Sequence, residues 1–194
     1  MSAAILLSFL EYLVIYSYTP GPANFFSLKV GSQYGYKHFL KVYPGLFCGC
    51  LSIMLACNIL MNSFERVMPS MINVFHYLGN AYILWVAWHI FRSKPANIEE
   101  VEKLKNKPTF ITGFVLNASN MKILMFGMTL MQMYVMPYFD TLIEQLLVTV
   151  GISFLISTST LFWGYCGKMF SNFLSKHHKV CNTTMAALLV WCIF

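Results

Sequence analysis

Six long apolar stretches, separated by short segments that hold most of the charge, dominate this chain. They cover residues 3–30, 39–62, 68–91, 110–136, 142–163 and 180–194. An α-helix needs about 20 apolar residues to cross a bilayer. Hydrophobic residues make up 58% of the chain and charged residues 10%, against roughly 45–50% and 25% in soluble domains. The sequence therefore predicts an all-α integral membrane protein with six transmembrane helices, although the last stretch is short for a span.

Basic residues concentrate in alternate loops. The first, third and fifth loops hold Lys29, Lys37, Lys41, Arg92, Lys94, Lys103, Lys105, Lys107, Lys168, Lys176 and Lys179, whereas the second and fourth hold only Arg66. Cytoplasmic loops of membrane proteins carry an excess of Lys and Arg. We therefore predict that the odd-numbered loops are cytoplasmic and that both termini lie outside. The same rule accounts for the net charge of +6 without a nucleic-acid partner.

The chain is predicted to form one membrane domain, residues 1–194, made of two three-helix halves. The halves are residues 1–92 and 109–194, and a charged cytoplasmic linker, residues 93–108, joins them. Because each half has an odd number of helices, the second half lies upside down relative to the first. The expected architecture is a 3+3 inverted repeat.

Two polar clusters interrupt the first and fourth apolar stretches, at residues 19–24 and 117–122. Polar backbone and charge are costly inside hydrocarbon and usually mark a binding site or pathway. At about 1.5 Å per residue, Thr19 lies roughly 16 Å from Val30 and Ser119 roughly 14 Å from Phe110. Both clusters are therefore expected near the middle of a core about 30 Å thick.

The first cluster predicts a helix broken at Pro20-Gly21-Pro22. The prolines lack amide hydrogens, Gly21 tolerates any dihedral, and Pro22 suits the first position of a restarted helix. Free carbonyls and amides at such a break can bind a ligand, and Thr19 and Asn24 add side-chain hydrogen bonds suited to an amino acid. A proline kink satisfied by neighbouring helices is the alternative.

The second cluster supplies Asn117, Asn120 and Lys122 as further candidate substrate-binding residues. A lysine at this depth cannot easily reach either surface, which favours a cavity-facing role. Lys122 could bind a substrate carboxylate or carry a proton. Glu11, the one acid well inside a predicted span, is a second candidate for proton coupling, with a side chain that reaches outer water as the alternative.

Small residues recur on two other helices. Gly45 and Gly49 form a Gly-x-x-x-Gly face, and Ser153, Ser157, Thr160 and Gly164 follow one side of the fifth stretch. Close helix packing explains both patterns, and a moving interface or a polar pathway lining is the functional alternative. The cysteines show no metal-ligand spacing, and no catalytic motif is present, so no metal, cofactor or enzyme activity is predicted.

The whole chain resembles the lysine exporter and homoserine/threonine resistance family, the LysE/RhtB translocators. The family's Pro-Gly-Pro cluster is matched by Pro20-Gly21-Pro22, and its Gly-x-Ala-Tyr motif by Gly79-Asn80-Ala81-Tyr82. The family's Asn-Pro-Lys reads Asn120-Met121-Lys122 here, so hydrogen bonding by Asn117, Ser119 and Asn120 has to replace the proline. Residues 81–88 resemble the cysteine/O-acetylserine exporter branch, which also lacks that proline.

The resemblance implies proton-driven export of a small neutral amino acid or derivative, similar to cysteine or O-acetylserine, from the cytoplasm across a bacterial inner membrane. Homoserine, threonine or lysine is the alternative substrate. Assembly into a homo-oligomer also stays open. An alternative from a different functional class is a membrane subunit that transports nothing itself. The expected partners are the amino acid, protons and the lipid bilayer.

Overall fold

The computed structural model describes residues 3–63 and 107–176, together with the single positions 84, 88, 180, 183, 184 and 187. All regular structure within these residues is helical. The third and sixth predicted stretches, most of the linker, and the motif at residues 79–82 lie outside the described residues apart from those positions. The predictions made for them stay predictions.

Seven α-helices are described. They are α1 (Ala3–Tyr18), α2 (Pro22–Tyr34), α3 (Tyr36–Ser63), α4 (Phe110–Ala118), α5 (Met121–Leu130), α6 (Leu142–Met169) and α7 (Ser171–Lys176). A π-helical turn, Met131–Val135, continues α5. The predicted stretches 39–62 and 142–163 thus correspond to α3 and α6.

Helices α3 and α6 are each long and apolar enough to cross a membrane. Each has 28 residues, which gives about 42 Å at 1.5 Å per residue, more than a bilayer core requires. Two helix pairs pass the same test together: α1 with α2, which meet at 49°, and α4 with α5 and its π turn, which meet at 55°. The described residues therefore contain two to four candidate spans of an integral membrane protein.

Glycines let α3 and α4 touch backbone to backbone. A Cβ on Gly45 would lie 2.0 Å from the carbonyl oxygen of Phe110, and one on Gly49 would lie 2.5 Å from that of Phe114. Both distances are impossible for a real side chain. The expectation that the Gly45 and Gly49 face serves helix packing is confirmed, and this packing fixes the start of the α4–α5 pair against α3.

A second glycine interface joins α2 and α6. A Cβ on Gly31 would lie 2.1 Å from the carbonyl oxygen of Gly164, and one on Gly167 would lie 2.1 Å from that of Leu28. Without a hydrophobic driving force between helices in lipid, such close packing is a main source of helix association. It brings the hydroxyl-bearing face of α6 against the half-helix that follows the proline cluster.

Candidate functional site

The first interruption lies between α1 and α2. Helix α1 ends at Tyr18, and α2 begins at Pro22 after Gly21 as its N-cap residue. The backbone at Gly21 has φ −159° and ψ 171°, an extended conformation open to any residue. Glycine is therefore not required at position 21 for its dihedral freedom. A residue without a side chain leaves room here for Lys122, because a Cβ on Gly21 would lie 2.8 Å from Cδ of Lys122.

Asn24 fastens this interruption from the α2 side. Its buried Nδ2 donates to the carbonyl oxygens of Ser17 at 2.7 Å and Thr19 at 2.9 Å. Its Oδ1 lies 3.2 Å from Ser159 Oγ on α6. These bonds satisfy carbonyls that the end of α1 leaves without helical partners, so Asn24 acts first as a clamp across the break.

The second interruption, between α4 and α5, forms without proline. Asn120 is the N-cap of α5, and its Oδ1 accepts a hydrogen bond from the Lys122 amide at 3.1 Å. Asn120 Nδ2 donates to Asn117 Oδ1 at 3.3 Å, while Asn117 Nδ2 donates to the Leu46 carbonyl on α3 at 2.7 Å. Side-chain amides thus supply both the cap and the anchor of this break. Exposed Ser119 bonds within α4, to the Val115 carbonyl.

The Lys122 side chain links the two interruptions. It is 9% exposed, and Nζ donates to Thr19 O and Thr19 Oγ1, both at 2.9 Å, and to Pro20 O at 3.4 Å. The ammonium also lies 4.7 Å from the centroid of the Tyr16 ring, within cation–π range. The Tyr16 hydroxyl in turn donates to the Lys122 carbonyl. The two polar clusters, more than 90 residues apart in sequence, therefore meet through a buried cation.

A small cavity opens beside this cation; about 390 Å³ of atom-free space lies in and around it, open solvent included. Its lining comes from α1, α2, α4, α5, α6 and the two breaks. The lining residues are Tyr16, Ser17, Gly21, Ala23, Asn24, Asn117, Asn120, Lys122, Ile123, Phe126, Ile156, Ser157, Ser159 and Thr160. A mostly apolar wall with a few convergent polar groups is typical of a small-molecule site.

Ser17 differs from the other buried hydroxyls that the structure describes. Ser27, Ser153, Ser157, Ser159, Thr160 and Thr149 each donate to a carbonyl three or four residues earlier in their own helix. The Ser17 oxygen is buried and has no hydrogen-bond partner, which costs about 1–3 kcal/mol. A polar ligand that enters the cavity and forms a hydrogen bond with this hydroxyl would remove that cost.

The structure brings most of the predicted site residues together. Gly21, Asn24, Asn117, Asn120 and Lys122 line the cavity. Thr19 and Pro20 are not among the lining residues, but their oxygens accept hydrogen bonds from the Lys122 ammonium beside the cavity.

Two further predicted residues contact neither the cavity nor Lys122 in the described bonds. Pro22 is buried at the start of α2 and is not among the residues that line the cavity. Glu11 lies on an exposed part of α1, also away from that lining. Its role in proton coupling stays a prediction.

Sequence reasoning missed the aromatic wall. Tyr16 stacks on Phe126 with ring centroids 4.4 Å apart, and both line the cavity. In a chain with 16% aromatic residues, a single tyrosine gives no signal of its own. On this face of α6, Gly164 packs against α2, whereas Ser157 and Thr160 line the cavity. A role of these hydroxyls in a transport pathway stays a prediction.

Comparison with known proteins identifies the family of this chain. Residues 14–193 match the LysE type translocator family. The chain is 30% identical, over 99% of its length and 97% of theirs, to the cysteine/O-acetylserine efflux proteins of Salmonella paratyphi A and Salmonella typhi. It is 28% identical over the same shares to that of Escherichia coli O1:K1. No solved structure matches. This protein therefore belongs to the LysE type translocator family, and it is an amino-acid efflux transporter of the membrane, not an enzyme.

Proposed function

We propose that this protein exports a small neutral amino acid or derivative, with cysteine and O-acetylserine as the first candidates, and that the proton gradient drives export. The names of the full-length relatives support the substrate class. The expected zwitterion has a carboxylate, an ammonium and a short polar side chain. The cavity between the two helix breaks offers a cation, carbonyl oxygens and hydroxyls of matching kinds.

The proposed membrane arrangement treats α1–α2 and α4–α5 each as one broken span. Their interruptions at residues 19–21 and 119–120 then lie at similar depth, as an inverted 3+3 repeat requires. The protein would lie in the bacterial inner membrane, with odd-numbered loops in the cytoplasm and both termini outside. Bending at the two breaks, with the packed pairs α2–α6 and α3–α4 each moving as one unit, would expose the cavity to each side in turn.

The buried Lys122 is the observation that carries this proposal. A lysine with 9% exposure between two helix breaks attracts an anion in a low-dielectric setting. The substrate carboxylate therefore lies nearest Lys122. The first-turn amides of α2, those of Ala23 and Asn24, have no acceptor one turn earlier and supply a second positive pole. The Ser17 hydroxyl is placed to receive a polar group of the guest.

The cavity favours neutral side chains over cationic ones. Among the described residues that line it, none is Asp or Glu, whereas Lys122 already contributes one positive charge. A second ammonium on the substrate side chain would face like charge without an acidic partner. This composition argues against lysine as the substrate. The groups proposed for proton coupling are Lys122 itself and Glu11 on the outer part of α1.

Replacement of Lys122 tests the proposed site. We expect Lys122→Ala to lower cysteine or O-acetylserine efflux from expressing cells at least tenfold, because the cation that attracts the carboxylate is lost. Lys29→Ala is the matched control, since Lys29 is exposed on α2 and away from the cavity. Amounts of both variants in the membrane are compared by immunoblot. Unchanged efflux in Lys122→Ala, with normal amounts of protein, would refute the site.

A further inference from the structure

We propose that the oxygens now holding the Lys122 ammonium form the binding site for the substrate's own ammonium group. In the empty transporter the lysine occupies this site, and the incoming amino acid displaces it. This inference rests on the proposed function, because it assumes a substrate that carries both a carboxylate and an amine. It adds a second ligand pole, made by the end of α1 and distinct from the cation itself.

The proposed ammonium site is built from three oxygens and one ring. Thr19 O, Thr19 Oγ1 and Pro20 O lie 2.9, 2.9 and 3.4 Å from Lys122 Nζ, and the Tyr16 ring faces the same nitrogen at 4.7 Å. An ammonium has three N–H donors, so three acceptors and an aromatic face form a complete coordination for it. We call this group the ammonium cage.

The cage is held in an accepting state by its own hydrogen bonds. The Thr19 hydroxyl donates to the Tyr16 carbonyl at 2.9 Å, which turns the lone pairs of Oγ1 toward the ammonium. Asn24 Nδ2 donates to the Thr19 carbonyl at 2.9 Å and fixes that oxygen. The cage also lies at the C-terminal end of α1, where the helix dipole favours a cation. These contacts are preorganised for a primary ammonium of any origin.

An amino acid can replace the lysine in the cage without a net loss of ionic contacts. A carboxylate that pairs with Lys122 must draw its ammonium away from some of the three oxygens. The substrate ammonium then takes the vacated acceptors, while the lysine gains the carboxylate as its partner. An anion without an amine would leave the cage oxygens unpaired in a buried position. The site is therefore expected to prefer the zwitterion over its deaminated analogue.

The first test measures that preference in purified protein. The ligands are L-cysteine and 3-mercaptopropionate, which lacks the amine, and binding is measured by calorimetry in detergent. We expect Thr19→Val, which removes one cage oxygen, to lower the preference for cysteine about tenfold by weakening cysteine binding alone. Thr19→Ser keeps the oxygen and should restore the preference. An unchanged ratio, whether both affinities fall or neither does, would overturn the inference.

The second test empties the cage. Cysteamine carries an amine and no carboxylate, so in the wild type it must displace Lys122 without giving the lysine a new partner. We expect cysteamine to bind Lys122→Ala at least tenfold more tightly than it binds the wild type. Lys122→Arg, which keeps a cation in place, should show no such gain. Cysteamine affinity that does not rise in folded Lys122→Ala would overturn the cage, and folding is checked by size-exclusion chromatography.

The two proposals fail in different ways. The proposed function is refuted if wild-type cells export neither cysteine nor O-acetylserine, whatever the cysteamine affinities of the purified variants are. Failure of the cage would appear as normal export together with an unchanged cysteamine affinity in Lys122→Ala. If Lys122→Ala does not fold, the Thr19→Val and Thr19→Ser pair decides the inference.

Discussion

The two helix breaks reach similar geometry by different physical means. Between α1 and α2 the chain bends by 49° at a Pro-Gly-Pro sequence, and between α4 and α5 it bends by 55° at a sequence without proline. In the first break the N-cap residue, Gly21, makes no side-chain cap. In the second, Asn120 caps α5 through its side chain. Sterics open one break, and hydrogen bonds maintain the other.

This difference separates two kinds of sensitivity. A proline break persists when nearby side chains change, because the missing amides and the ring itself prevent helix continuation. A capped break depends on one amide that can be removed by a single substitution. The lysine that joins the breaks belongs to the capped one, while the cage that holds it belongs to the proline one. The predictions below probe each break separately.

The largest effect is expected at the proline break. Gly21→Ala places a Cβ 2.8 Å from Lys122 Cδ, so the lysine side chain must move away from the Thr19 oxygens. We expect efflux to fall about tenfold, equivalent to about 1.4 kcal/mol, with little change in protein amount. Whole-cell efflux measured by mass spectrometry is the readout.

Gly151→Ala is the control for this substitution. Gly151 is exposed on α6, and a Cβ there meets nothing within 4 Å. Alanine in a helix interior is also favoured over glycine by roughly 0.5–1 kcal/mol. This variant should transport normally. Equal losses in the two variants would show that space at Gly21 is not what the lysine requires.

A smaller effect is expected at the capped break. Asn120→Ala removes the acceptor for the Lys122 amide and the donor to Asn117, and loss of an N-cap costs about 1 kcal/mol. We expect the melting temperature in detergent to fall by about 2–4 °C, the shift for this cost in a chain of about 200 residues. Ser119→Ala, at an exposed position that bonds only within α4, should change little. A melting temperature equal to that of the wild type would mean that the cap does not hold this break.

The smallest effect is expected for a substitution that tests whether proline can open the second break as it opens the first. Met121→Pro introduces the Asn-Pro-Lys sequence of the resembled family at the first position of α5, where proline is tolerated. Asn120 has φ −79° and ψ 101°, which lies outside the α region that a following proline disfavours. We expect a change in unfolding free energy of less than about 1 kcal/mol and near-normal efflux. Leu124→Pro, one turn further into α5, should cost about 3 kcal/mol or more.

A loss of folding in Met121→Pro as severe as that in Leu124→Pro would contradict this equivalence. It would mean that the Met121 amide, and not only the cap, is needed to start α5. Stability in detergent and membrane amount report the result for both variants.

Much of the fold was predictable because lipid imposes simple rules. The stretches 39–62 and 142–163 predicted α3 and α6 within a few residues, except that α6 continues to Met169. Depth counted along each helix placed Thr19 and Lys122 at one level, and their atoms lie 2.9 Å apart. The length of an apolar stretch and the position of a residue along its helix can both be counted directly from the sequence.

The details of the site were not predictable in the same way. Asn24 and Asn120 were expected to orient the substrate, but their amides first hold the breaks together. Tyr16 and the orphan hydroxyl of Ser17 carried no signal, because their importance depends on which way a neighbouring helix turns. Rotation of one helix against another depends on packing, here at glycines such as Gly31 and Gly45, and no local pattern encodes the result.

The glycine interfaces have a consequence for how this transporter can change shape. Where two backbones touch without intervening side chains, sliding or separation would open a void at once, so α2 stays joined to α6 and α3 to α4. Each pair is expected to move as a rigid block. Bending then falls at residues 19–21 and 119–120, the two breaks that flank the proposed substrate site, so release of the substrate and bending at the breaks are expected to occur together.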